Sequence, residues 1–344
     1  MYSFLNDYSE GAHPRVLDFL MKSNFEQNIG YGEDIHSDRA RAYIKKQLKR
    51  EDVDIHFISG GTQTNLLVIS SFLRPHQCVI AADSSHINVH ETGAIEATGH
   101  KVVVMPSQDG KLSPSAINDA LNYHQDEHMV KPKMVYISNT TELGTIYRKE
   151  ELRKIHQLCK EKGLFLFLDG ARLGSALTCK ENDLSLTDIA QLCDVFYIGG
   201  TKNGALLGEA LVICREELKE DFRYLIKQRG AMLAKGFVMG MQFEALFQDH
   251  LYFEIASHAN QMAEEIAKTL DECGYEFLVP PCSNQLFPIL PKKLLEKMEA
   301  KFKFMIQKEM DDEKSAIRLV TSWATKEEAV EELCNFFREN KGKE

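Results

Sequence analysis

Apolar positions fall into two registers along this chain. Between about residues 55 and 215, short apolar runs of strand length alternate with segments whose apolar residues recur every three or four positions. The runs Ile55–Ser59, Gln77–Ala81, His100–Met105, Lys133–Ser138, Leu164–Leu168, Val195–Gly199 and Glu209–Cys214 predict strands. Residues 62–74, 86–98, 114–127, 149–162 and 187–192 predict helices, and 15–22 and 37–50 carry helical periodicity ahead of them. This alternation implies an α/β fold, with a mostly parallel sheet covered by helices on both faces. Leu164-Phe165-Leu166-Phe167-Leu168 has no polar face, as a central parallel strand requires.

Beyond residue 215 the texture changes. Residues 216–272 read as almost wholly helical. Short strands near 275–279, 284–290, 301–307 and 315–321 follow, with helices at 292–299 and 325–338 and a turn at Asp311-Asp312-Glu313-Lys314. The expected division is a large domain at 1–248, including an N-terminal arm at 1–15, and a smaller α+β domain at 249–344. The helical stretch 236–270 spans the junction.

Composition narrows the class. The chain has 344 residues, 44% apolar and 27% charged, which is a globular mix. The net charge of −10 leaves no basic stripe for nucleic acid and gives no support for docking on an anionic membrane. Eight cysteines occur with no C-x-x-C pair, as in a cytosolic protein with buried thiols. The N-terminus lacks the apolar core of a signal peptide, and no run approaches the roughly 20 apolar residues of a membrane span. A cytoplasmic enzyme is expected.

Ligands of doubly wound sheets bind at the carboxyl ends of the strands. Five predicted strands run there into polar residues: Gly60-Gly61-Thr62, Asp83-Ser84-Ser85-His86, Asn139-Thr140-Thr141-Glu142, Asp169-Gly170-Ala171-Arg172 and Gly200-Thr201-Lys202. Gly60-Gly61-Thr62 before a helix can cradle an anion on backbone N–H groups, or can be a plain strand–helix turn. It is neither G-x-G-x-x-G nor a Walker loop. Lys202, poorly hydrated in a glycine-rich frame, is a candidate nucleophilic amine; a surface loop lysine is the alternative. Asp169 can accept from a protonated ring nitrogen, or can cap the helix that follows. Arg172 can bind a carboxylate or phenolate oxygen. His86 and His90, four apart with Glu91 adjacent, can stack on a flat cofactor, bind a metal, or simply pack; no third metal ligand has suitable spacing. Arg318, on the last predicted strand, points either to solvent or to an anion that suits its planar fork.

Taken in order, these motifs resemble the threonine aldolase / β-eliminating lyase family of fold-type-I pyridoxal-phosphate enzymes. The resemblance spans nearly the whole chain. It is carried by Asn6-Asp7, Gly30-Tyr31-Gly32-Glu33-Asp34, Gly61-Thr62-Gln63-Thr64-Asn65, Ser85-His86, Asp169-Gly170-Ala171-Arg172, Gly200-Thr201-Lys202 and Arg318-Leu319-Val320-Thr321. It implies pyridoxal 5′-phosphate as cofactor and no metal. Lys202 matches the Schiff-base lysine, Asp169 the partner of the pyridine nitrogen, and His86 the imidazole stacked on the ring. Arg172 matches a contact to the cofactor's O3′ side and to the substrate. Gly61, Thr62 and Thr201 fall among the cofactor-binding positions. Asn6, Tyr31, His86, Arg172 and Arg318 fall among the substrate-binding ones, with Arg318 as the carboxylate clamp.

The implied reaction cleaves the Cα–Cβ bond of a β-hydroxy-α-amino acid, such as L-threonine or L-allo-threonine, to glycine and acetaldehyde. Two alternatives stand: β-elimination on another amino acid, and a catalytically silent pyridoxal-phosphate binder. The chain departs from the family at Asn6, where serine is usual, and at Thr141, where the aldolases carry a histidine facing the substrate. His86, His90 and Glu142 are the candidate bases. The family also implies a homodimer or homotetramer with shared sites, and Lys227, Arg229 and Lys235 are candidates for a contact to a neighbour's phosphate.

Overall fold

The computed structural model describes residues 1–342. The arm opens with β1 (Tyr2–Ser3). The large sheet contains β2 (Asp54–Ile58), β3 (Gln77–Ala82), β4 (Val102–Met105), β5 (Lys131–Ser138), β6 (Phe165–Asp169), β7 (Val195–Gly199) and β8 (Glu209–Ile213) in the order β2-β8-β7-β6-β5-β3-β4. Strands β3 to β7 pair in parallel, while β8 runs antiparallel to both β7 and β2. The carboxyl ends of β2, β3, β5, β6 and β7 therefore share one edge.

Side-chain alternation accounts for both layers. Ile80, Ile137, Leu166, Leu168 and Phe196 enter one core, and their neighbours Val79, Tyr136, Phe165, Phe167 and Val195 enter the other. Strands buried on two faces need no polar register, which is why they read as continuous apolar runs. The glycines at the strand ends are set by close approach. A Cβ on Gly170 would lie 1.8 Å from the Tyr197 carbonyl oxygen, and one on Gly199 would lie 2.4 Å from that of Ala171.

The smaller sheet holds β9 (Glu276–Phe277), β10 (Gln285–Leu286), β11 (Pro288–Pro291), β13 (Met305–Glu309) and β14 (Lys314–Val320). Strand β14 pairs antiparallel with β10, β11 and β13. The short β12 (Phe302–Lys303) pairs instead with β1, so the arm crosses to the small sheet, and Phe4 is buried in its core. Helix Leu251–Cys273 serves both cores, with Tyr252 and Ile255 in the large one and Ile266 and Leu270 in the small.

Four expected elements differ. The strand expected over 301–307 is two strands, β12 and β13, broken at Phe304 and paired with different partners. The helix expected over 86–98 is only His86–Val89, with a 3-10 turn at Glu96–Thr98, because Thr92 (φ 53°) and Gly93 (φ 72°) take left-handed conformations between them. The stretch 216–272 is broken into Phe222–Gln228, Phe237–Gln248 and Leu251–Cys273, with Gly230 and His250 at positive φ in the breaks. The strand expected over 284–290 is two strands, β10 and β11, broken at Phe287. Among the described residues, no disulfide joins any of the eight cysteines. Among the described residues, no helix is long and apolar enough to cross a membrane.

Candidate active site

Asp169 ends β6, 4% exposed, and each of its oxygens is engaged. Its Oδ2 accepts from Tyr136 Oη at 2.5 Å and from Asn65 Nδ2 at 3.2 Å, while Oδ1 accepts from the Ala171 N–H at 3.0 Å. Burial, then the Asp169 charge, pushes the Tyr136 and Tyr197 phenols well up, so they remain protonated donors. The chain of contacts continues. Asn65 Nδ2 also donates to Glu91 Oε1 at 2.7 Å, and His86 Nδ1 lies 2.7 Å from the same oxygen. A carboxylate only accepts, so Nδ1 carries the proton and the ring orientation is set from behind. Sequence reasoning missed Asn65 and Tyr136. Tyr136 looks like core in an apolar strand, and nothing along the chain marks its hydroxyl as partner to a residue 33 positions away.

Lys202 follows β7 in the turn Gly200–Gly204, half-buried, with its Nζ 5.9 Å from the Tyr8 ring centroid. Burial lowers the pKa of its amine, the Arg172 charge lowers it further, and Asp7, Asp169 and Glu209 oppose them. The neutral amine is the form that attacks a carbonyl.

Arg172 and the arm form the opposite wall. Arg172 donates from Nε to Asp7 Oδ2 at 2.7 Å and from Nη2 to Asp7 Oδ1 at 3.0 Å, a bidentate fork. Asn284 Nδ2 donates to Asp7 Oδ2 at 2.9 Å and to the Thr321 carbonyl at 2.8 Å. Burial alone would raise the Asp7 carboxyl, but Arg172, Lys202 and these hydrogen bonds hold it below its ordinary value. Arg318 on β14 donates from Nη2 to the Leu5 carbonyl at 3.3 Å, and its buried Nε has no partner.

The remaining candidates divide. Gly60 caps helix Gly61–Phe72 without any side-chain hydrogen bond, and Thr62 is exposed in its first turn, so the helix start offers free N–H groups. Asn6 spends its Oδ1 locally, accepting from Tyr8 N–H and Ser9 Oγ, both at 3.0 Å. His90 is exposed, with its ring 5.5 Å from that of His86. Burial lowers its pKa, and the charges of His86, Arg318 and Lys202 lower it further. Thr141 is fully buried, and its Oγ1 shares a 2.7 Å bond with Thr145 Oγ1. Glu142 Oε1 accepts from the His86 N–H at 2.9 Å and from Ser138 Oγ at 2.8 Å. Within one chain Tyr31 is not brought to these residues; its ring lies 4.6 Å from Lys227 Nζ.

A lysine after one strand, a buried carboxylate after the next, an imidazole held from behind and an uncapped helix start share one edge of a mostly parallel sheet, which is the arrangement of fold-type-I pyridoxal-phosphate enzymes. Thermus thermophilus aspartate aminotransferase has the same fold, with a TM-score of 0.73 at 15% identity over 98% of this chain and 91% of that one. Residues 11–290 match the family model for beta-eliminating lyases, and the chain belongs to that family. It is 32% identical to the low specificity L-threonine aldolase of Pseudomonas aeruginosa, over 97% of this chain and 96% of that protein. The solved structure of Leishmania major threonine aldolase superposes with a TM-score of 0.97 at 51% identity, covering 98% of this chain and 99% of that one.

Proposed function

We propose that the protein is a pyridoxal-phosphate-dependent aldolase that cleaves β-hydroxy-α-amino acids of the threonine class to glycine and an aldehyde. The observation that carries this reading is the placement of Lys202 among Asp169, Arg172 and Asp7, with His86 held through Glu91 and Asn65 to the same Asp169. The chain's relatives and its place among the lyases support carbon–carbon cleavage over the two alternatives.

The residues fit the cofactor. The uncapped helix start at Gly60-Gly61 suits a phosphate, and Asn139 Nδ2 and Arg318 Nε are buried donors left without partners. When bound, pyridoxal phosphate supplies an aldehyde for the substrate amine and an electron sink for the cleaved bond. Lys202 would hold the aldehyde carbon. Asp169, fixed by Tyr136, Asn65 and the Ala171 N–H, would keep a pyridine nitrogen protonated. Gly61, Thr62 and Thr201 would hold the phosphate, and His86 would hold the ring. Arg172 and Arg318 orient the substrate carboxylate, so that the bond to the β-carbon stands where electrons can leave it. Asn6 orders the arm beside them.

His90 takes the β-hydroxyl proton. It is the candidate base with an exposed imidazole beside that of His86, whereas Glu142 Oε1 is committed to the His86 N–H and Ser138. A base must be neutral, and the lowered His90 pKa keeps it so at neutral pH.

The protein works as a homodimer or larger homo-oligomer. Leu17, Met21, Phe25, Ile29 and Ile35 lie on its surface, with Phe25 94% exposed, which is apolar area suited to a second copy. The Tyr31–Lys227 pair, away from its own cluster, then serves the neighbouring site.

The test is a visible spectrum of the purified protein, then product analysis with L-threonine and L-allo-threonine. Glycine and acetaldehyde in equal amounts are expected. A 2-oxo acid with ammonia would replace this reading by β-elimination, and absorbance without turnover would leave a silent binder.

A further inference from the structure

Glu209 is a buried carboxyl, 4% exposed, to which the reaction above gives no role. It opens β8 and pairs across the sheet with Ile58, just before the Gly60-Gly61 turn, and with Gly199, just before the Lys202 turn. Its Oε2 accepts from the Gly200 N–H at 3.1 Å, and its Oε1 lies 2.9 Å from Thr201 Oγ1. Thr201 Oγ1 in turn accepts from the Gly208 N–H at 3.0 Å. The carboxyl thus closes the turn that carries Lys202.

We infer that Glu209 is a proton-linked positioning residue for anion binding: when neutral it donates to Thr201 Oγ1 and frees the Thr201 O–H for a phosphate oxygen, and when ionised it keeps that O–H for itself. A hydroxyl has one proton and two lone pairs. With Glu209 ionised, Thr201 donates to Oε1, accepts from Gly208, and has only a lone pair left to turn toward an anion. With Glu209 neutral, Oε1 carries the proton and donates it, Oε2 still accepts from Gly200, and Thr201 accepts twice and donates outward. The proton comes from solvent and no covalent bond changes. An anion arriving nearby is a second like charge and favours the neutral carboxyl.

The surroundings agree. Burial pushes Glu209 up to about 8, against the Thr201 hydrogen bond and the Lys202 charge, with Asp169 raising it further. The ionisable groups facing it are Lys202 on its turn, Asp169 on β6, Tyr197 on β7 and Tyr252 on helix Leu251–Cys273. Strand β2 offers Ile58, and helix Phe237–Gln248 places Met239 and Phe243 against Gly208, so these two elements add no charge there.

This inference rests on the reading that a phosphate-bearing cofactor binds here, and one titration separates the two. The full-length chain, freed of cofactor, is titrated with pyridoxal 5′-phosphate and with pyridoxal, which lacks the phosphate, from about pH 7 to about pH 9.5, following visible absorbance. In the wild type, the affinity advantage of the phosphate ester is constant below about pH 8 and shrinks above it, approaching about tenfold per pH unit, as uptake of one proton requires. In Glu209→Gln, whose amide donates to Thr201 at every pH, the advantage stays flat. A pH-independent advantage in the wild type, or a parallel decline in Glu209→Gln, overturns the inference while the cofactor reading stands. Absence of absorbance with both compounds overturns both. If Glu209→Gln fails to fold, the wild-type comparison of the two compounds decides alone.

Discussion

The two walls of the cleft are held in different ways. On the Asp169 side, groups from β5, β6 and helix Gly61–Phe72 form a continuous chain of donors and acceptors, Tyr136 to Asp169 to Asn65 to Glu91 to His86, anchored in the large sheet. On the Arg318 side, the groups come from the arm and the small sheet. They meet through long-range contacts, Asp7 to Arg172 and Asn284, and Leu5 to Arg318, and they leave Arg318 Nε and Asn284 Oδ1 unpartnered. The first wall is not fully satisfied either, since Asn65 Oδ1 and Glu91 Oε2 are buried without partners, so the walls differ in how they are assembled rather than in how completely they are paired. A wall built within the large sheet suits a permanent cofactor, and one whose groups meet across the arm and the small sheet suits a substrate that comes and goes.

The comparison is sharpest where one wall can be removed outright. Lys202→Ala is expected to abolish the visible absorbance of the loaded protein and all amino-acid turnover, since it removes the amine on which the Asp169 charge acts. Full absorbance in that variant would break the assignment of the first wall. Asp169→Ala comes next. It removes the acceptor shared by Tyr136, Asn65 and the Ala171 N–H, and kcat is expected to fall about a thousandfold, the upper end for losing one preorganised polar group. A change within a few fold would make Asp169 a helix cap only.

His90 stands between the walls. His90→Asn is expected to lower kcat about a hundredfold, toward the lower end for one acid–base group, with KM nearly unchanged. The sign with pH follows from the base having to be neutral. Wild-type kcat falls as pH drops through the lowered His90 pKa, and the variant loses that acid limb. A pH profile of kcat for the two proteins checks it, and an unchanged acid limb would move the role to another group.

Asp7→Asn tests the second wall. It leaves the Arg172 guanidinium, 12% exposed at its side chain, without its charged partner. Removing one partner of a buried pair costs about 3 kcal/mol, and losing a charge-assisted hydrogen bond of about 1.5 kcal/mol raises KM roughly tenfold. In the wild type this stabilisation is complete above the ordinary carboxyl range and is lost as pH falls through the lowered Asp7 value. Thermal unfolding of both proteins across acid pH reads the difference, and identical curves would show that the pair adds nothing.

The same contrast explains what was legible along the chain. The strands of the first wall were readable to within a residue or two at most ends, because each is apolar on both faces and closed by a polar strand-end motif. Residues 165–169 and 195–199 illustrate this. Lys202, Asp169 and His86 could be picked out because glycines or strand ends mark them. The second wall was less legible. Asn284 lies in a loop 277 residues from the Asp7 it binds, and no local signal predicts that meeting. The helix expected over 86–98 shows the other failure, since its periodicity continues through Thr92 and Gly93 while the backbone turns left-handed there. Thr141 occupies the histidine's place in the sequence, yet its hydroxyl is drawn to Thr145 and to the carbonyl of Asp109.

The smallest effect belongs to Asn6, the departure from the family's serine. If Asn6 orders the arm, its work is done by Oδ1, which gathers Tyr8 N–H and Ser9 Oγ into a turn just before the Asp7 fork. A serine hydroxyl makes the same kind of turn more weakly. Asn6→Ser is therefore expected to change KM by less than about threefold, under about 0.7 kcal/mol. Asn6→Ala, which has no side-chain acceptor, should cost more, because Asp7 then rests on Arg172 and Asn284 with an unconstrained chain before it. If instead Asn6 met the substrate through Nδ2, both variants would lose that donor geometry alike. Equal KM increases of about tenfold in Asn6→Ser and Asn6→Ala would then place this side chain on the substrate itself, and the second wall would begin one residue earlier than the Asp7 contact indicates.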